Sequence, residues 1–238
     1  MQAGNEIKAL VFDVFGTVVD YRSTIIREGE LLSRQKGLTI DWDDFSYAWR
    51  NRYQPLLERV ERHELPWMKL DTLHRLALDE VLAEFQVTGL TEEEKAHLNR
   101  VWHRLQPWAD SVPGLTRQRR KFVLATLSNG NVSLLTNMAK HSGLPWDCIL
   151  SAELVRAYKP NPAVYQMASE LLDLPPEQIM LVAAHPYDLE AARAQGIRTA
   201  LVPRPMESGP RHPISYPDHP DFDIVASDML DLARQLGV

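Results

Sequence analysis

The chain has 238 residues, 45% of them hydrophobic and 24% charged, with a formal net charge of −6. That balance is ordinary for a globular protein, and without a long basic run it argues against nucleic acid or an anionic membrane as the main partner. One cysteine, Cys148, excludes an internal disulfide; with no signal-peptide pattern and no apolar stretch near the ~18 residues of a membrane span, a cytoplasmic protein is expected.

The first predicted element is an apolar strand, Ile7 to Phe12, which runs straight into Asp13. A buried strand of this kind presents Asp13 at the carboxyl edge of a parallel sheet, where α/β proteins place their ligands. Val14, Phe15, Gly16 and Thr17 follow. A carboxylate two residues after Asp13 would let the pair grip Mg²⁺ through oxygen, and Phe15 cannot. Residues 21–107 then contain no convincing strand. Asp41 is predicted to cap a long helix carrying Phe45, Trp49, Tyr53, Leu56, Leu57 and Val60, and Leu70 to Phe85 makes a second. Thr91 with Glu94 forms a capping-box pattern opening a third, which runs to about Leu105. Pro107 and Pro113-Gly114 mark the return of the chain. The expected organisation is a core domain of residues 1–20 and 108–238 and a helical cap domain of residues 21–107.

Past the cap, short aliphatic runs at Phe122–Leu127, Ile179–Ala184 and Thr199–Val202 read as strands. Helix patterns alternate with them at Asn131–Ser142, Ala163–Leu172 and Asp188–Gln195, the last followed by Gly196. The β-α-β-α series makes this an α/β fold with a mostly parallel sheet flanked by helices. Cys148 lies in an apolar stretch and reads as a structural thiol. Pro203 to Pro220, rich in Pro, His, Ser and Gly, reads as a long surface loop.

Four features end strands or open the helices after them: Asp13 with Thr17, Ser128-Asn129-Gly130, Lys159-Pro160, and Asp188. Each alone is weak, since an aspartate at a strand end is often a helix cap and Ser-Asn-Gly an ordinary turn. Together and in this order they resemble the haloacid dehalogenase superfamily, over essentially the whole chain and including a helical cap between the first two motifs. The resemblance implies a Rossmann-like core.

Phosphatase members of that superfamily carry Asp-x-Asp-Gly-Thr at the first motif and two acidic residues near the last, and they use Mg²⁺. Here Phe15 stands at the second position, and Ala183-Ala184-His185-Pro186-Tyr187-Asp188 holds one carboxylate. The pattern instead resembles the 2-haloacid dehalogenase branch, which needs no metal or other cofactor. What the resemblance implies is attack by Asp13 on the halogen-bearing carbon of a small 2-haloacid, an ester on Asp13, and hydrolysis of that ester. It makes Lys159 the electrostatic partner of Asp13. It makes Thr17, Ser128 and Tyr165 binders of the substrate carboxylate, and Arg50, Asn129 and Trp67 the halide cradle, with Arg52 as a competitor of Arg50. Where better-known members carry Ser-x-Asn-x-x-Asp, this chain keeps only Asp188, and His185 is the expected acceptor of a proton from the hydrolytic water. With Tyr187 and Trp67, His185 is also expected to narrow the pocket towards haloacetates. A homodimer through the cap helices is the assembly the resemblance allows. Two other readings stay open on sequence: a phosphatase- or phosphonatase-like hydrolase with an altered metal site, and a non-catalytic binder of small carboxylates.

Overall fold

The computed structural model describes residues 6–217 and 221–238. Residues 1–5 of the amino terminus, and 218–220 at the end of the loop expected from Pro203 to Pro220, lie outside the described residues. A short strand β1 (Ala9–Phe12) is followed by β2 (Val19–Asp20). Five helices then run in succession: α1 (Tyr21–Lys36), α2 (Trp42–Asn51), α3 (Tyr53–Glu61), α4 (Leu70–Glu84) and α5 (Glu92–Asn99). The chain returns through β3 (Gln106–Pro107), which pairs antiparallel with β2. Next come α6 (Ser111–Gln118), β4 (Val123–Ser128), α7 (Val132–Ser142), β5 (Cys148–Ser151) and α8 (Pro162–Leu172). The chain ends with β6 (Ile179–Ala183), α9 (Pro186–Arg193), β7 (Arg198–Leu201), β8 (Ile224–Val225) and α10 (Met229–Gln235).

Six strands form one parallel sheet in the order β5-β4-β1-β6-β7-β8. Strand β1 lies at its centre with all four residues buried, as expected of a strand covered on both faces. The chain adds β4 and β5 on one side of β1 and then crosses to add β6, β7 and β8 on the other. The crevice where that order reverses opens at the carboxyl ends of β1, β4 and β6. Asp13, Ser128 and the segment from Ala184 to Asp188 all sit there.

The long helix expected after Asp41 is two helices that meet at Arg52. Pro55 explains the break. It has no N–H for the Asn51 carbonyl and its ring crowds that carbonyl, whereas in the first turn of a new helix it is tolerated. Asp41 does cap α2, accepting from the Asp43 and Asp44 amides, and Thr91 and Glu94 complete the capping box of α5. Helix α5 stops at Asn99 and gives way to a 3₁₀ turn over Arg100–Arg104. Pro113-Gly114 lies inside α6 and is not a turn. Pro113 occupies the permissive first turn, and a Cβ on Gly114 would stand 2.5 Å from Met229 Cβ, so the glycine lets α10 pack close. Strands β5 and β8 are too short and too irregularly patterned to read from sequence. No described helix is long and apolar enough to cross a membrane.

Candidate active site

Asp13 is the first residue after β1, and its amide extends the ladder by donating to the Val182 carbonyl at 3.0 Å. The backbone then turns through Gly16 at φ +81°, which brings Thr17 back beneath Asp13. The Thr17 hydroxyl donates to Asp13 Oδ2 at 2.6 Å and accepts the Ala184 amide at 2.8 Å. That hydroxyl therefore ties the ends of β1 and β6 together and fixes the rotamer of Asp13. A second donor meets the same oxygen, His185 Nδ1 at 3.0 Å. The other carboxylate oxygen, Oδ1, faces Lys159 Nζ at 3.6 Å. The two oxygens of Asp13 are thus inequivalent: Oδ2 is clamped by two hydrogen bonds and Oδ1 feels a cation without contact.

Lys159 reaches the site from the loop before α8 and is 6% exposed. Its ammonium donates to Asp188 Oδ2 at 2.6 Å, and the Tyr165 hydroxyl donates to Asp188 Oδ1 at 2.7 Å. One cation thus stands between two buried carboxylates. Burial raises the Asp13 carboxyl, but the Lys159 charge, His185 and Thr17 outweigh it and hold the group well below the usual carboxylate range. Asp188 shifts upward, through burial and the nearby Asp13 charge, against the pull of Lys159. Two like charges sharing one partner are pushed apart, and Asp188 is left as the better proton acceptor.

His185 stands at the N-terminus of α9 with each ring nitrogen against a carboxylate, Nδ1 at Asp13 Oδ2 and Nε2 at Glu207 Oε2, the latter at 2.9 Å. Burial alone would lower the ring. The Glu207 charge and the bonds to both carboxylates overcome that and raise it to about 10. An ionised carboxylate only accepts, so the ring donates at both nitrogens. The sequence-based role for His185, accepting a proton from water, finds no free lone pair here.

Arg50 comes from the end of α2. Its guanidinium lies over the Tyr53 ring at 4.5 Å and the Tyr21 ring at 5.3 Å, and Nη2 is 4.0 Å from Glu207 Oε1. A cavity of about 400 Å³ is lined by Arg50, Tyr21, Tyr53, His185, Tyr187 and Glu207 among others. Arg52 faces away and pairs with Glu80 and Glu84 on the outer surface of the helices. Asn129 joins the two halves of the site: its Nδ2 donates to the Tyr53 hydroxyl at 2.8 Å and its Oδ1 accepts the Lys159 amide at 2.8 Å. Because Tyr53 accepts from Asn129, its own hydroxyl proton points elsewhere, and Tyr53 lines the cavity.

Of the ten residues singled out on sequence, Asp13, Thr17 and His185 form one hydrogen-bonded set and Lys159, Asp188 and Tyr165 another; the Asp13–Lys159 ion pair joins the two, and Asn129 links Lys159 to Tyr53 beneath Arg50. Ser128, at the end of β4, is fully buried and accepts the Gly130 amide at 3.2 Å. Two expected roles change with the geometry. The hydroxyl protons of Thr17 and Tyr165 are committed to Asp13 and Asp188, so these side chains hold the enzyme's carboxylates and not a substrate's. Trp67 is not brought to the cluster: its ring stacks under the Arg156 guanidinium at 5.0 Å and it is not among the cavity's lining residues. Sequence reasoning missed Glu207 and Tyr53. Glu207 lay in a stretch read as surface loop, yet it is 3% exposed. The signal was its place past the carboxyl end of a strand, the edge that also carries Asp13, Ser128 and His185.

Phe15 is 3% exposed and packs edge-on against His74 and Trp102. It puts hydrocarbon where a metal-binding motif needs its second carboxylate. Among the described residues no group of three His, Cys, Asp or Glu side chains could hold a metal ion. The ground between Asp13 and Asp188 is taken by the Lys159 ammonium.

The family model for haloacid dehalogenase-like hydrolases matches residues 7–196. The chain is 28% identical over 204 residues to (S)-2-haloacid dehalogenase 1 of Pseudomonas sp. (strain CBS-3), covering 83% of this chain and 85% of that protein. It is 27% identical over 206 residues to haloacetate dehalogenase H-2 of Moraxella sp. (strain B), covering 84% and 87%. Its fold is similar to the crystal structure of the L-2-haloacid dehalogenase PA0810, with a TM-score of 0.92, 45% identity, and coverage of 97% of this chain and 98% of that one. The defluorinating L-2-haloacid dehalogenase Rha0230 matches with a TM-score of 0.93 at 42% identity, over 98% and 96% of the two chains. The chain belongs to the haloacid dehalogenase-like hydrolases, in their 2-haloacid dehalogenase branch.

Proposed function

We propose that the protein hydrolyses the carbon–halogen bond of small 2-haloalkanoic acids, haloacetates and (S)-2-haloacids, giving 2-hydroxy acids through an ester on Asp13. The observation that carries this reading is the inequivalence of the two Asp13 oxygens. Oδ2 is held by Thr17 and His185, which leaves Oδ1 as the oxygen free to form a bond. Its lone pair attacks C2, the carbon–halogen bond breaks with inversion, and halide departs towards the cavity wall of Arg50 and Tyr53, whose hydroxyl Asn129 holds from behind. Charge on the leaving atom exists only once that bond stretches, so a guanidinium waiting there stabilises the transition state more than the ground state. The substrate carboxylate is left to Ser128, whose hydroxyl proton meets no acceptor among the described residues, and to the backbone amides near it. Hydrolysis of the ester then restores Asp13, with Asp188 as proton acceptor.

A cradle built from one guanidinium and one phenol suits a small leaving atom, and likeness to a protein described as defluorinating supports extending the substrates to fluoroacetate. The test is halide release from chloroacetate with and without EDTA, coupled to one turnover in ¹⁸O-water and mass analysis of the Asp13 peptide. Halide release unaffected by EDTA, with label in that peptide, is the expected result. Release without label would mean direct attack by water and would remove the ester. Turnover of 2-chloropropionate much faster than chloroacetate would remove the haloacetate preference.

A further inference from the structure

We infer that His185 and Thr17 form an oxyanion site for hydrolysis of the Asp13 ester, and that Glu207 is the positioning residue that keeps His185 a donor at both ring nitrogens. The inference rests on the dehalogenase reading above, and it gives the two residues that clamp Oδ2 a task in the second half of the reaction. Both donors address Oδ2, Thr17 at 2.6 Å and His185 Nδ1 at 3.0 Å. When Oδ1 carries the alkyl group, Oδ2 becomes the ester carbonyl oxygen. Water bonds to Cγ, the Cγ–Oδ2 π pair moves onto Oδ2, and one water proton passes to Asp188. On collapse the pair returns, the Cγ–Oδ1 bond breaks, and the proton on Asp188 goes to the departing alkoxide. The second water proton leaves as Asp13 ionises again. Negative charge therefore grows and vanishes on the atom that His185 and Thr17 already hold.

The role of Glu207 follows from the same sequence of charges. In the resting site two carboxylates hold the ring protonated. Alkylation removes the Asp13 charge, and Glu207 is then the carboxylate that remains on the ring. Its position is fixed by the loop after β7. Arg204 makes a bidentate pair with Asp110 at 2.9 and 2.7 Å and donates to the Thr17 carbonyl at 3.1 Å, and its own carbonyl accepts the Glu207 amide at 3.0 Å. The Glu207 carboxylate lies on Gly16, where a Cβ would stand 2.1 Å from Oε1, so this glycine serves the approach as well as the turn. The charged and titratable groups around the ring are Asp13 from β1, Glu207 from the loop, Arg50 from α2 across Glu207, Lys159 across Asp13, and Tyr187 from α9 with ring centroids 5.6 Å apart.

The experiment is rapid-mix chloroacetate turnover by the wild type and Glu207→Gln, following halide, trapped ester on the Asp13 peptide, and their pH dependence. Glu207→Gln should still give a full first-turnover halide burst, then accumulate ester and fall about 100-fold in steady state, the size of losing one oxyanion donor. The alkaline limb of ester hydrolysis should move to lower pH in Glu207→Gln, and Glu207→Asp should restore it in part. Loss of burst and turnover in equal proportion, or a slowed enzyme with an unmoved limb, would overturn the assignment. Should Glu207→Gln not fold, ¹⁵N spectra of the wild-type ring decide: both nitrogens protonated at neutral pH supports it, a neutral ring overturns it. Failure of the dehalogenase reading looks different, since the wild type itself would then release no halide.

Discussion

Lys159 lies closer to Asp188 than to Asp13, 2.6 Å against 3.6 Å, although Asp13 is the residue placed to react. The lysine is anchored on the carboxylate that stays put and leans its field on the one that changes charge. This arrangement lets Asp13 lose its negative charge during esterification without losing the geometry around it.

Removing Lys159 should therefore damage folding as well as rate. Lys159→Ala leaves two buried carboxylates facing one another, and breaking a buried pair from one side costs about 3–5 kcal/mol. Halide release should fall at least about 100-fold, the scale of removing a principal charge-stabilising group. Adding Asp188→Asn to Lys159→Ala should recover much of the stability, seen as a raised denaturation midpoint, and none of the activity. An additive loss of stability in the double variant would show that the pair is not coupled.

The pH dependence of stability follows from the site's shifts. His185 is raised to about 10, so its contribution is full below its unfolded value of about 6.5 and is lost as pH rises through about 10. Asp13 is depressed, so its contribution is present above about 3.9 and is lost as pH falls through its folded value. Asp188 has the opposite sign: raised in the fold, its ionisation opposes folding above the carboxylate range. Thermal denaturation of His185→Asn against the wild type should show a gap near about pH 6 that narrows towards about pH 10. A gap constant across that range would mean the ring is held by packing and not by charge.

Arg50 and Arg52 separate a site residue from a surface one. Arg50→Lys keeps the charge but loses the planar face that stacks on Tyr53 and Tyr21, and should cut the halide burst about 100-fold. Arg52→Ala breaks exposed pairs with Glu80 and Glu84, and its effect on stability should stay within about 1 kcal/mol, with turnover unchanged. Equal effects of the two would place the halide away from Arg50.

How much of this was readable follows from what each signal depends on. Strand β1 announces itself because a central parallel strand must be apolar throughout, and Asp13 interrupts it at the edge. The α5 cap was legible because Thr91 and Glu94 act within one turn. The break at Arg52 was not, because the apolar stripe of α2 continues in phase into α3, although Pro55 carried the information. Glu207 is hidden for a different reason. Its burial comes from Gly16 and from Arg204, which is itself anchored on Asp110; Gly16 and Asp110 are remote in sequence, and a proline-rich loop has no periodicity to betray an inward side chain. Tyr53 matched the apolar face of a predicted helix, and only the fold shows its hydroxyl meeting Asn129.

Trp67 and Tyr53 make the last test, because one was expected at the halide and the other lies beneath Arg50 in the cavity. Trp67 packs under Arg156, so Trp67→Phe should leave the halide burst and the order of chloroacetate, bromoacetate and fluoroacetate rates unchanged. Tyr53→Phe keeps the ring beneath Arg50 but removes the acceptor of Asn129 Nδ2 and the hydroxyl proton directed away from it. Fluoride is small and the most strongly solvated halide, so it loses most when one donor disappears. Tyr53→Phe should slow fluoroacetate by about tenfold or more relative to bromoacetate, the worth of about 1.4 kcal/mol of differential stabilisation. Competing the two substrates in one pot and reading the released halides measures that ratio directly. An unchanged ratio would assign the departing halide to Arg50 and Asn129 alone.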